Sequence, residues 1–229
     1  MIKSIVVPVP YIDIHTHDAV EQEDVFQLQS LFLQDFEQNP SLNYPVTAGI
    51  HPWHAHLFTP DEAREMLERN VGNPTIVGIG ETGLDRSIHT SLAVQEEIFE
   101  LHIDAAQKFG KPLIIHCVRC WQDVLRMKKG TTIPWILHGY TGNLQTTQQL
   151  LKKDFFFSIG SHLLDHRAKL RESVEIIPIE NLFMETDDSS VDIKDIYREV
   201  ALLNNMSPED LKMHIFGNLK KIFGPIVRA

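Results

Sequence analysis

Seven short apolar runs alternate with longer segments of helical period along the 229 residues of this chain. The runs are Val9 to Ile14, Pro45 to Ile50, Thr75 to Ile79, Pro112 to Ile115, Ile133 to Leu137, Phe155 to Ile159 and Asn181 to Met184. Their Ile, Val, Leu and Phe content suits strands buried on both faces of a parallel sheet. Helices are expected between most of them. Asp61 to Val71 follows Thr59-Pro60, a cap and then proline, Ser91 to Phe109 stops at Gly110, and Trp121 to Lys129 stops at Gly130. Asn143 to Leu151, His166 to Ile176 and Val191 to Asn204 continue the pattern, and Ser207-Pro208 opens a last helix, weakened by Gly217.

An eighth strand is available at Val25 to Leu33, which fits a strand about as well as a helix. Read as a strand, it shrinks the first crossover to a loop, Asp18 to Asp24, and the helix after the first strand is missing. Strand-helix alternation predicts a parallel α/β sheet, either closed as a somewhat shortened eight-stranded barrel or open and doubly wound. Length and the absence of linkers or repeats suit one domain over residues 1–229.

Composition narrows the class. No apolar stretch is long enough for a membrane span, and the N-terminal residues carry no small-residue cleavage site, so a cytoplasmic location is expected. The two cysteines, Cys117 and Cys120, argue against a disulfide framework, and their lone C-x-x-C, redox-active or half of a zinc site in other settings, has no second pair and is read as packing. With 31 acidic against 21 basic side chains, the net charge of −10 provides no broad footprint for nucleic acid. A polyanion would have to be held locally.

Chemistry-bearing residues gather where the apolar runs end. His15 and His17 share one face of an extended segment. His51, Glu81, His116, His138 and Asp187 stand at the C-terminal side of later runs. Active sites of parallel barrels form at that rim. Imidazoles and carboxylates from separate strand ends match the needs of two divalent cations, one carboxylate bridging the pair. Imidazole with carboxylate suits Zn, Mn, Ni or Fe, and the expected cofactor is two divalent ions drawn from these or Mg.

Two other patterns are set aside. Gly78 to Gly83 matches G-x-G-x-x-G, but no helix opens after it, and Glu81 would face a pyrophosphate with a like charge. His102 falls on the core stripe of its helix with Ile98, Leu101 and Ala105, and is read as structural.

The sequence resembles the TatD-type metal-dependent hydrolases, (β/α)8 barrels of the amidohydrolase superfamily that include deoxyribonucleases. The motifs are H-x-H at His15 and His17, G-x-H-P at Gly49 to Pro52, G-E-x-G-L-D at Gly80 to Asp85, "PLIIHC", "ILHGYTGN", E-T-D at Glu185 to Asp187 and a late "NLKKIFG". The resemblance implies that His15, His17 and Asp187 hold one metal and His116 and His138 the other, with Glu81 bridging. It implies hydrolysis of phosphodiester bonds in DNA or a similar substrate, with Asp187 and Glu81 as catalytic groups and no obligate protein partner. His51 and His54 are then expected at the rim as substrate contacts, Trp53 as a stacking face, and Arg86 and Arg119 as phosphate partners. Asp188 and Ser189 stand where the family has a small residue and a proline. Two rivals remain: a metal-dependent hydrolase of a small amide or lactone, and a non-catalytic metal-binding scaffold.

Overall fold

The computed structural model describes residues 9–38, 41–128 and 130–226. Eight parallel strands in the order of the chain form the sheet: β1 Tyr11–Thr16, β2 Val25–Phe32, β3 Val46–Gly49, β4 Ile76–Asp85, β5 Leu113–Val118, β6 Trp135–Leu137, β7 Phe155–Ile159 and β8 Leu182–Met184. The helices are α1 Leu33–Gln38, α2 Pro60–Asn70, α3 Leu92–Phe109, α4 Trp121–Met127, α5 Leu144–Leu151, α6 Leu170–Val174, α7 Ile193–Leu203 and α8 Pro208–Phe223. The sheet is a nearly closed barrel, as expected, and β1 passes to β2 without a helix.

Three departures from the sequence expectation bear on the architecture. β4 runs to Asp85 rather than Ile79, because Gly80 and Gly83 continue the strand at positive φ (145° and 137°). A Cβ on either would lie 2.2 Å from a β5 carbonyl oxygen, so only glycine permits this pairing. Short α1 follows β2 where no helix was expected. The helix expected over His166 to Ile176 shrinks to α6, preceded by a turn over Ser161–Leu164. Gly217 does not break α8, and a Cβ there would meet nothing within 4 Å. Lys129, and most of the residues read for a leader, lie outside the described set.

Local chemistry accounts for the helix starts. Thr59 and Glu62 form a capping box at α2, and Ser91, Asn143, Asp192 and Ser207 cap α3, α5, α7 and α8 with their side chains.

The seam between β1 and β8 is the weak point, since β8 has three residues. Side chains bridge it. Tyr197 of α7 satisfies both backbone groups of Ile12, and buried Asp13 accepts from the Thr186 N–H at 3.0 Å and hydroxyl at 2.6 Å. The Asp187 N–H then donates to the His15 carbonyl at 2.9 Å. Closure therefore fixes His15 and Asp187 side by side. Among the described residues no helix is long and apolar enough to cross a membrane.

Candidate metal centre

The barrel brings five imidazoles and two carboxylates to the C-terminal ends of its strands. Glu81, 4 % exposed, projects from β4 into their midst. Its neighbour Gly49 makes room: a Cβ there would lie 2.6 Å from the Glu81 carbonyl oxygen. The glycines of G-I-G-E-T-G and G-I-H-P thus serve close strand approach around one carboxylate, not a nucleotide loop.

The two oxygens of Glu81 face different partners. Oε1 lies 3.0 Å from His17 Nε2 and 3.3 Å from His15 Nε2, and Asp187 Oδ1 stands 3.5 and 3.6 Å from the same two nitrogens. Oε2 lies 2.8 Å from His138 Nε2, 3.5 Å from His51 Nε2 and 3.6 Å from His116 Nδ1. His15, His17 and Glu81 offer ligand atoms within 4.8 Å of one another, so do His51, Glu81 and His116, and a third group, His15, His138 and Asp187, joins the two sets. His51 thus reaches the cluster itself rather than only its rim.

Carboxylates and imidazoles of the cluster hold one another in their charged forms. Burial opposes ionisation of Glu81, but His138 and His15 hold its carboxyl well below the usual range. Burial and His138 push His15 down, yet Glu81 and Asp187 outweigh them and raise its pKa to about 9. Burial likewise opposes charge on His138, and Glu81 with Glu185 raises it well above the ordinary value. Fully buried His15 leaves both ring nitrogens without a hydrogen-bond partner. An orphaned imidazole nitrogen aimed at two carboxylates is the donor set that a divalent cation satisfies. The residues fit the group.

Outer carboxylates, which sequence reasoning missed, stand behind the second set. Asp85 accepts from His116 Nε2 at 3.2 Å, and fully buried Glu185 lies 3.6 Å from His138 Nδ1 and accepts from the Gly139 N–H. Both sit inside motifs read for their neighbours, G-E-x-G-L-D and E-T-D. That position was their signal.

Over the cluster opens a cleft of about 460 Å3 lined by His17, Phe32, His51, Trp53 and Asp188. A second, of about 420 Å3, shares His116, His138 and Asp187 and adds Arg119 and His162. Arg119 sits at φ 57°, and its guanidinium has no ion-pair partner among the described residues. Arg86 differs: it pairs with Asp123 at 2.7 Å and lines neither cleft. His54 is held by Gln34 at 3.2 Å and packs against Phe32, behind the cleft wall. Where the first crossover lacks a helix, a groove of about 540 Å3 runs past Asp18, Gln27, Asp188 and Asp192. Cys117 and Cys120 are buried, and burial pushes both thiols up, which suits packing.

A parallel eight-stranded barrel with this cluster at its strand ends defines a metal-dependent hydrolase. The family model described as TatD related DNase matches residues 29–224, and the chain belongs to that family. It is 30 % identical over 201 residues to a Mycobacterium tuberculosis protein named metal-dependent hydrolase TatD, covering 78 % of this chain and 76 % of that one. It is 31 % identical over 152 residues to an Edwardsiella piscicida protein named 3'-5' ssDNA/RNA exonuclease TatD, covering 62 % and 56 %. Among solved structures, the Escherichia coli TatD homologue YJJV superposes with a TM-score of 0.78 at 19 % identity, over 93 % of this chain and 97 % of that one. A TatD family hydrolase from Entamoeba histolytica gives 0.73 at 17 % identity, over 95 % and 99 %.

Proposed function

We propose that this barrel is a divalent-metal-dependent phosphodiesterase of deoxyribonuclease type, working with two metal ions on DNA or another phosphodiester. The observation that carries the reading is Glu81, whose two oxygens each face their own set of imidazoles. His15, His17 and Asp187 would hold one ion, and His116 and His138 the other, with Glu81 between them and His51 beside the second. A relative named as an ssDNA/RNA exonuclease supports nucleic acid as the substrate class.

Ions bound there lower the pKa of a coordinated water and stabilise charge on the attacking and leaving oxygens. The chain's own residues do the rest. Asp187 is held ionised because the neighbouring His15 and His138 outweigh its burial, so an oxygen of its carboxylate can accept the proton of the attacking water. Trp53, 53 % exposed, presents its face to a base. Arg119, which lines the second cleft with His116, His138 and Asp187, offers its fork to the phosphate.

The test measures metal content together with hydrolysis of single-stranded DNA and of a chromogenic phosphodiester, before and after chelation. Wild type should carry two metal equivalents and lose activity with them. Glu81→Ala should lose both ions and about 10³-fold or more in rate, the equivalent of roughly 4 kcal/mol. Metal bound without phosphoester cleavage under several cations would instead favour the small amide or lactone substrate, or the scaffold.

A further inference from the structure

Each carboxylate oxygen of Asp85 takes two donors. Oδ1 accepts from the Ser87 N–H at 2.7 Å and the Ser87 hydroxyl at 2.5 Å. Oδ2 accepts from the indole N–H of Trp53 and from Nε2 of His116, each at 3.2 Å. A carboxylate can only accept, so the proton of neutral His116 stands on Nε2, and Nδ1, 3.6 Å from Glu81 Oε2, is left to accept from His138 Nε2 at 3.3 Å. Trp53 continues the chain of bonds. Its backbone N–H donates to His51 Nδ1 at 3.2 Å, which leaves His51 Nε2 3.5 Å from the same Oε2. Asp85, Trp53, His51 and His116 therefore form a loop that closes on Glu81, and Trp53 is its one largely exposed member.

We propose that Asp85 is a positioning residue: a single carboxylate oxygen fixes which nitrogen of His116 faces the metal centre and where the exposed indole of Trp53 stands over it. The inference rests on the reading above, in which His116 holds metal and Trp53 meets substrate. Its consequence is coupling. The second metal half-site and the stacking face are set by one group, so disturbing either disturbs the other.

Asp85→Asn changes the least volume and the most information. The amide keeps an acceptor for Ser87 but turns N–H groups toward Trp53 and His116. The indole then loses its acceptor, and His116 must accept at Nε2, which moves its proton to Nδ1, the nitrogen facing Glu81.

The experiment reads the imidazole nitrogens of His116 by 15N NMR in the metal-free protein. Wild type should show the Nε2–H tautomer and Asp85→Asn the Nδ1–H tautomer. Titration with Zn2+ or Mn2+ alone should give two equivalents for wild type. In Asp85→Asn one equivalent should remain and the other weaken about 10- to 100-fold. Trp53→Phe is the second variant, in case the first unfolds. It leaves Oδ2 to His116 alone, so the tautomer should persist while the Nε2 proton resonance moves to lower field. An unchanged tautomer in Asp85→Asn, or an unmoved resonance in Trp53→Phe, overturns the proposal. A wild type that binds no second ion or cleaves no phosphodiester strikes the function instead, because the tautomer is read without metal.

Discussion

The hydroxyl of Tyr197 accepts from the backbone N–H of Ile12 and donates to the Ile12 carbonyl, each at 3.0 Å. One side chain of α7 thus supplies both hydrogen bonds that a longer β8 would have given β1. Tyr197→Phe removes them and leaves two buried backbone groups unpaired. The expected cost is about 2–4 kcal/mol. Chemical denaturation would measure it, and a loss under half a kcal/mol would mean that the seam does not depend on this contact.

Gly80→Ala places a methyl group where the Ile114 carbonyl already stands, at a φ of 145°. Either β4 moves away from β5 or the chain fails to close around Glu81. We expect a loss of about 2–5 kcal/mol and a melting temperature lower by roughly 10 °C. Differential scanning calorimetry reads this directly, and an unchanged transition would place the Gly80 requirement elsewhere.

Arg119→Ala tests the phosphate contact. The side chain is exposed and carries no ion pair among the described residues, so stability should hardly change. Removing a charged hydrogen bond to substrate should raise KM for a phosphodiester about tenfold, with metal content unaltered. Arg86→Ala is the control, since its guanidinium belongs to Asp123. Equal effects from the two variants would remove Arg119 from the site.

His102 sets a pH dependence of stability. Burial lowers its pKa from 6.5 to about 4, although the bond to the Ile98 carbonyl opposes the shift. Its Nε2 accepts from the Ile50 N–H at 2.9 Å, a bond that requires the neutral ring. The unfolded chain takes up a proton below 6.5 and the folded chain does not until about 4, so the contribution is complete above 6.5 and drains away as pH falls through that window. The loss attributable to His102 should be about 2 kcal/mol at pH 5. Comparing denaturation of wild type and His102→Gln at pH 7.5 and 5 isolates it. Equal pH sensitivity in the two proteins would refute the assignment.

Much of this was legible along the chain. The alternation of apolar runs with capped helices is a property of local sequence, and so was the shortened first crossover, because a loop of seven residues cannot hold a helix that spans the barrel. His15, His17, Glu81, His116, His138 and Asp187 were visible as polar residues ending apolar runs. Asp85 and Glu185 were passed over because a carboxylate that serves a histidine looks like any other acid beside a motif.

The sequence by itself determined the order of elements, the parallel barrel as one of two closures and the residue types available at its rim, since periodicity and caps act over a few residues. Only the tertiary structure decided how those residues divide. That Glu81 turns one oxygen to His15 and His17 and the other to His51, His116 and His138 follows from strand register and from three glycines that let backbones approach. That Arg86 is held by Asp123 while Arg119 lines the cleft follows from α4 packing beside β4. These are relations across tens of residues, fixed by closure of the barrel, and no local pattern encodes them.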